Sequence, residues 1–346
     1  MRPVGVELGM DALGALADGK DAKDKLGAFV DQYRTWIDEQ GKKAPTSPKK
    51  RKETAAELLK QAARAADRIE HGIALLADPQ CLEAFRIANR VMATAARQRQ
   101  GVIAKKDPKT VVAGWRPFQL AFILMNLPGM ADPADNDREV VDLLFFPTGG
   151  GKTEAYLGLA AFTLVLRRLR NPGVTSAGVA VLMRYTLRLL TLDQLGRAST
   201  LICALELERQ KDVEKLGEWP FEIGLWVGQA ATPNRMGHKG DKDPKTARAK
   251  TIAYQNNERK ASPIPLEDCP WCGTNFTNRS FELKPSPDHP TDLRINCVNR
   301  HCDFSRGHSL PILAVDEPIY RRLPCFRPGS IRGNKASGLT APVGIF

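Results

Sequence analysis

The residues Pro147-Thr148-Gly149-Gly150-Gly151-Lys152-Thr153 have the types and spacing that phosphate chemistry needs. A backbone loop that closes on an anion must turn its N–H groups inward and approach closely, which glycines permit and Cβ atoms obstruct. In such a loop Thr148, Gly149, Gly150 and Gly151 wrap the phosphates of ATP. Lys152 brings a positive charge to the β- and γ-phosphates, and the Thr153 hydroxyl ligates Mg²⁺. The full phosphate-loop pattern has a glycine five residues before its Gly-Lys pair, and Phe146 stands there, so the chain fits the shorter form Pro-Thr-Gly-x-Gly-Lys-Thr. A glycine turn that merely joins a strand to a helix is the bland alternative, and it leaves Lys152 and Thr153 without a reason.

Cysteines form the second set. In Cys269-Pro270-Trp271-Cys272-Gly273 a tight turn lets two thiolates face one ion, and Cys297 and Cys302 make a second pair with four residues between them. Four thiolates in two close pairs suit tetrahedral Zn²⁺ in a closed structural site. His301 and His308 are alternative ligands at less suitable positions. The resulting zinc ribbon could stabilise an insertion or contact a nucleic acid or a partner, and Arg294, Arg300, Phe304 and Arg306 do not decide between these. The third set is Asp316-Glu317, which ends the apolar run Ile312–Val315 and has the local form of the acidic pair that holds Mg²⁺ and orients water.

These residues need elements to hold them. Val141–Phe146 reads as a buried strand, and Thr153–Arg170 as a helix that Asn171-Pro172-Gly173 stops. Ala177–Met183 reads as the next strand, Leu187–Gln210 as a helix, and Glu222–Val227 as a third strand before Gly228. This βαβα order predicts an α/β fold with a parallel sheet of the nucleotide-binding type. Upstream, 8–40 and 53–100 have helical spacing, with Leu58, Ala62, Ala65 and Ile69 as an example. Between them Gly41–Glu53 reads as a basic linker that solvent or a nucleic-acid backbone could face, and Asp107-Pro108 marks a second break. A short helix fits Pro117–Asn126, a loop follows through Asp137, and Thr232–Ser262 is polar and basic with little apolar content. The expected organisation is a helical region over 1–110, a nucleotide-binding lobe over 111–262, a zinc ribbon over 263–312 and an irregular tail over 313–346.

The chain has 346 residues and 42% hydrophobic content, enough for two or three domains. Its net charge of +12 makes a polyanion a plausible partner, although six of the cations lie in the short run Lys42–Lys52. Met1–Ala15 contains Glu7 and Asp11 and has no apolar core, so no signal peptide is expected. There is no apolar run of membrane-spanning length. Seven cysteines, four of them in close pairs, point to a reducing compartment, with the cytoplasm as the default.

Further motifs carry a resemblance. Trp115-Arg116-Pro117-Phe118-Gln119 resembles the upstream glutamine element of superfamily 2 helicases, in which a glutamine reads the adenine edge; Gln119 could equally be an ordinary helix residue. Val181-Leu182-Met183-Arg184-Tyr185-Thr186-Leu187-Arg188, followed by Gln194, resembles the element by which these enzymes contact a nucleic-acid backbone. Arg184, Thr186 and Arg188 would be its phosphate contacts, or alternatively arginines that cap a helix. Together with Ala84-Phe85-Arg86-Ile87-Ala88-Asn89-Arg90 and the wording around the phosphate loop, residues from about 80 to about 324 are similar to the helicase subunits of DISARM anti-phage defence systems. The resemblance implies a partial RecA-like lobe with a zinc-ribbon insertion, and an ATP-dependent DNA translocase that works with other defence subunits. In that family a comparable Val-Asp-Glu stretch follows the ribbon, with the acidic motif further downstream, which leaves Asp316 and Glu317 as one of two options.

Arg327–Phe346 is rich in Gly, Pro and Ser and departs from the family pattern, so the expectation is a chain that ends before a second lobe and binds nucleotide without hydrolysing it. The competing reading is a non-catalytic zinc module that binds nucleic acid or a partner and carries a relic nucleotide site. A small-molecule kinase would use the same loop but has no use for the glutamine and Arg-Tyr-Thr-Leu-Arg elements.

Overall fold

A computed structural model describes residues 3–145, 147, 149–171, 173–176, 178–184, 188–225, 232–313 and 315–316. Two compact units result: one from the residues up to Ala93 together with Val112–Arg170, the other from Thr94–Val111 together with the residues from Asn171 on.

The first unit is helical. Helix α1 spans Met10–Gly14, α2 Gly19–Lys42 and α3 Lys49–Leu75. Asp18 caps α2 by accepting from the Asp21 N–H, and Ala22, Leu26, Val30 and Ile37 form its buried stripe. Because α2 runs to Lys42 and α3 starts at Lys49, most of the basic run read as a linker is helical. Helix α4 spans Pro79–Ala104 and belongs to the first unit as far as Ala93. Helix α5, Pro117–Ala131, begins with proline at its first position, where no amide is needed, and buries Leu120, Ile123, Leu124 and Leu127. Gly72 of α3 meets the Leu124 backbone: a Cβ there would lie 1.9 Å from the Leu124 carbonyl oxygen, so only glycine allows this approach. Helix α6, Lys152–Arg170, buries Leu157, Phe162, Val165 and Leu166, and its Gly158 faces the Trp115 ring and Ile123.

The second unit contains the end of α4, α7 at Arg188–Lys211, α8 at Val213–Leu216 and α9 at Ala247–Asn256. Strand β1, Ile223–Gly224, pairs in parallel with β4, Ile312–Leu313; β2, Phe281–Lys284, and β3, Asp292–Ile295, form an antiparallel hairpin. Glu206 of α7 accepts both from Arg209 (2.6 and 2.8 Å) and from the Phe221 N–H (3.0 Å), which fixes the chain just before β1.

The sheet is smaller than the sequence suggests. Val141–Phe146 reads as a buried strand in the sequence, yet its described part, Val141–Phe145, has no ladder partner among the described residues, and Val141, Leu143 and Phe145 are 94%, 85% and 90% exposed. Their alternation is that of an extended segment with one face covered, and burial of the other would require a neighbouring strand. Residues 178–183 likewise carry no strand, and of the described part of the third expected strand, residues 222–225, Ile223–Gly224 pairs with β4.

Candidate functional site

The glycine loop and the cysteine centre lie in different units. In the first unit Gly149 and Gly151 have φ of +80° and +89°, a conformation that L side chains rarely adopt. The Gly150 N–H bonds to the Pro147 carbonyl at 3.0 Å, and α6 begins at Lys152, whose Nζ lies 3.4 Å from the same carbonyl. Thr153 follows in the first turn of α6; Thr148 lies outside the described residues.

Two side chains from the start of α5 hold the loop. Arg116 Nη1 donates to the Gly150 carbonyl at 2.6 Å, and Gln119 Nε2 donates to the Gly151 carbonyl at 2.7 Å. The Gln119 Oε1 accepts from the Arg116 N–H at 2.7 Å, which caps α5. The φ of Gly151 favours glycine, and a Cβ there would meet Gln119 Nε2 at 2.7 Å and push that amide off the loop. The sequence marked Gln119 but not Arg116, and it gave no sign that both would bond to loop carbonyls.

In the second unit the four thiols of Cys269, Cys272, Cys297 and Cys302 converge, with all four Sγ atoms within 4.8 Å of one another. The Cys269–Cys302 and Cys272–Cys297 sulfurs are 3.9 and 3.5 Å apart. Thiolates about 2.3 Å from a tetrahedral ion stand about 3.8 Å from each other, so the spacing fits Zn²⁺. The first knuckle closes through Gly273, at φ +72°, whose N–H donates to the Cys269 carbonyl at 2.8 Å. In the second, the Cys302 N–H donates to the Asn299 carbonyl at 2.9 Å, and the Asn299 N–H lies 3.4 Å from Cys297 Sγ. Hairpin β2–β3 sits between the knuckles and brings them together. His301 and His308 are exposed and stand outside the cluster.

Outer contacts fix this centre. Trp271 Nε1 donates to Asp303 at 2.7 Å, and its ring meets Phe304 edge-on at 5.8 Å. The Pro270 carbonyl accepts from Thr200 of α7 at 2.9 Å, and the Trp271 carbonyl accepts from Gln98 of α4 at 2.8 Å. Hydrogen bonds from Cys269 and Cys302 hold the Cys272 thiol well below its ordinary range, while the Cys269 thiol, bonded to Cys272 and Cys302 and buried, is pushed up. The cluster therefore favours one thiolate first and needs a cation to carry four. Cys203, fully buried on α7, is pushed up by burial and stays a thiol outside the ligand set.

Asp316 follows β4, at 5% exposure. Its N–H donates to the Pro233 carbonyl at 3.1 Å, its Oδ1 has no hydrogen-bond partner among the described residues, and burial pushes its carboxyl up to about 6. Glu317 and Thr186 lie outside the described residues, Arg184 is exposed, and of Arg188 only the backbone, at the start of α7, is described. No helix among the described residues is long and apolar enough to cross a membrane.

What these features define is a mixed α/β protein, mainly helical, with a small parallel strand pair and a four-cysteine centre of zinc-binding type. No family model matches the chain. It is 37% identical over 324 residues to the DISARM protein DrmA of Bacillus paralicheniformis, a match that covers 89% of this chain and 28% of that protein. The chain is thus a relative of a DISARM protein and spans a little over a quarter of its length.

Proposed function

We propose that this chain belongs to a nucleotide-driven DNA translocase of the superfamily 2 type that acts with other defence subunits against incoming phage DNA. It binds ATP and Mg²⁺ through Pro147–Thr153, with Thr148 to Gly151 around the phosphates, Lys152 on the β- and γ-phosphates and Thr153 on the metal. Zn²⁺ at Cys269, Cys272, Cys297 and Cys302 organises the ribbon. Arg184, Thr186 and Arg188 are the candidate DNA-backbone contacts, and Asp316 with Glu317 the candidate Mg²⁺ acids.

The loop geometry carries this reading: two glycines at positive φ lead straight into the first turn of a long helix that begins Lys152-Thr153. The likeness to a DISARM protein supports the defence setting. Asp316 supports the acidic role, because a buried carboxylate after a parallel strand, its Oδ1 without a partner among the described residues, suits a cation ligand.

Calorimetric titration with ATP and Mg²⁺ tests the core of the proposal. Binding by the native chain, abolished in Lys152→Ala with the fold and zinc content intact, is the expected result. Equal binding by both proteins would remove the loop from the site. ATP turnover stimulated by DNA would show in addition that this chain alone holds a complete active site. DNA binding without nucleotide binding would favour the zinc-module reading.

A further inference from the structure

In a glutamine element the amide is there to read a base, but here Gln119 is spent on the protein. Its Oε1 is held by the Arg116 N–H and its Nε2 by the Gly151 carbonyl, and the residue is only 4% exposed. Base recognition must then come from another group near the loop.

Two residues before Gln119, Pro117 forms one wall of a cavity of about 270 Å³, whose other walls are Pro3, Phe29, Gln32, Tyr33 and Trp36. The same turn of α5 therefore touches the loop carbonyl through Arg116 and lines this cavity through Pro117. Tyr33 and Trp36, one turn apart on α2, stack with centroids 5.8 Å apart and planes 13° from parallel, and Trp36 keeps 38% exposure. Gln32 anchors the wall beside them: its Nε2 donates to the Val4 carbonyl at 2.6 Å and its Oε1 accepts from the Val4 N–H at 2.8 Å. That amide is oriented by the Val4 backbone. The cavity is smaller than the usual range for whole small-molecule ligands, so it suits a base whose phosphates lie elsewhere.

Building on the nucleotide reading of the loop, we infer that the cavity between α2 and the start of α5 holds the base of the bound nucleotide, stacked against Trp36, with Gln119 serving the loop instead. Aromatic faces accept any base, because every base has a π-face. With the Gln119 amide held by Arg116 and Gly151 and the Gln32 amide by Val4, stacking on Trp36 supplies most of the base affinity, and stacking favours adenine and guanine alike. The site is thus expected to bind purine nucleotides with weak discrimination between them.

The test is calorimetric titration of the full chain with ATP, GTP and inorganic tripolyphosphate, each with Mg²⁺. ATP and GTP should bind within about threefold of each other and tripolyphosphate about tenfold more weakly, since it lacks the base. Combined Tyr33→Ala and Trp36→Ala should weaken ATP and GTP about tenfold and leave tripolyphosphate unchanged. Trp36→Phe, which keeps a stacking face, should retain most of the ATP affinity. Unchanged ATP affinity in the double variant, with ATP binding still lost in Lys152→Ala, would overturn the base cavity and leave the loop reading standing. Equal loss of all three ligands in the double variant and in Trp36→Phe would also overturn it. If the native chain bound none of the three, or Lys152→Ala bound all of them undiminished, the loop reading would fall and the cavity with it.

Discussion

Arg68 ties the long helix α3 to the segment that leads into the glycine loop, and its removal should loosen that segment measurably. The side chain is buried, with Nη1 and Nη2 donating to the two Asp142 oxygens at 2.7 and 2.8 Å and Nε 2.8 Å from Asp137. Arg68→Met keeps the apolar stem but leaves Asp142 without its cation. Breaking a fully buried pair costs about 3–5 kcal/mol. Here Asp142 and Asp137 keep 15% and 24% side-chain exposure, and Arg64 stays 2.9 Å from Asp137, so solvent and a second cation offset part of the loss. A cost of about 2–3 kcal/mol follows. Hydrogen exchange read by mass spectrometry on peptides covering α3 and residues 138–145 gives local opening free energies, and protection there should fall about 30- to 150-fold. Adding Asp142→Asn should restore at least about 1 kcal/mol, because no unpaired charge then remains. A change under about threefold in Arg68→Met, or purely additive effects in the double variant, would refute the coupling.

Other expectations concern the cysteines, one glycine and one carboxylate. The purified chain should carry about one zinc per molecule by elemental analysis, and Cys272→Ser or Cys302→Ser should remove it and open 263–312 to protease; full zinc occupancy in either variant would exclude that cysteine as a ligand. Gly72→Ala should lower thermal stability by about 2 kcal/mol, the overlap with Leu124 outweighing the gain in helix preference. Gly27→Ala on α2, with nothing within 4 Å of the added Cβ, should instead be neutral or stabilising by up to about 1 kcal/mol, and the same sign in both variants would contradict the contact. Burial raises the Asp316 carboxyl to about 6 from 3.8, so the folded state binds this proton more tightly than the unfolded one. Its ionisation therefore lowers stability as pH rises from about 4 through 6. Asp316→Asn should stabilise the second unit at pH 7.5 relative to pH 4.5; a pH-independent effect in urea unfolding would argue against a buried, unpaired carboxylate.

Legibility in the sequence followed the range of the interaction. The cysteine knuckles could be read because each is a local turn: Cys269, Cys272 and Gly273 fix their own geometry, and only the meeting of the two pairs needed the fold. The N-terminal helices were legible from apolar spacing such as Leu58, Ala62, Ala65 and Ile69, which lies on α3, although of these only Ile69 is buried and Leu58 is exposed. Contacts between distant positions gave no sequence signal; Arg68 and Asp142 are 74 residues apart, and the bond from Gln119 to Gly151 spans 32. The apolar run Val141–Phe146 reads as a buried strand from its composition, yet Val141, Leu143 and Phe145 are exposed. An apolar run shows only that burial would be favourable, and a neighbouring element must supply it. Gly41–Glu53 reads as linker because charge and proline dominate its composition, yet Lys49–Glu53 is helical, since lysine and arginine are also good helix formers once α3 packs on α2.

The bonds from Arg116 and Gln119 also bear on how the loop could attract an anion. In a trans peptide the carbonyl and the following N–H point in opposite directions. With the Gly150 and Gly151 carbonyls directed at α5, the N–H groups of Gly151 and Lys152 are turned away from it, toward the side where phosphates would lie. Donors on the carbonyl oxygens, one of them a guanidinium, polarise these peptides and strengthen their amides as donors. Arg116 and Gln119 would then act on phosphate affinity rather than on the choice of base. Arg116→Ala and Gln119→Ala should weaken tripolyphosphate and ATP by the same factor, about three- to tenfold for one lost hydrogen bond. A Gln119→Ala variant that weakened ATP while binding tripolyphosphate normally would return Gln119 to the base and refute this division of labour.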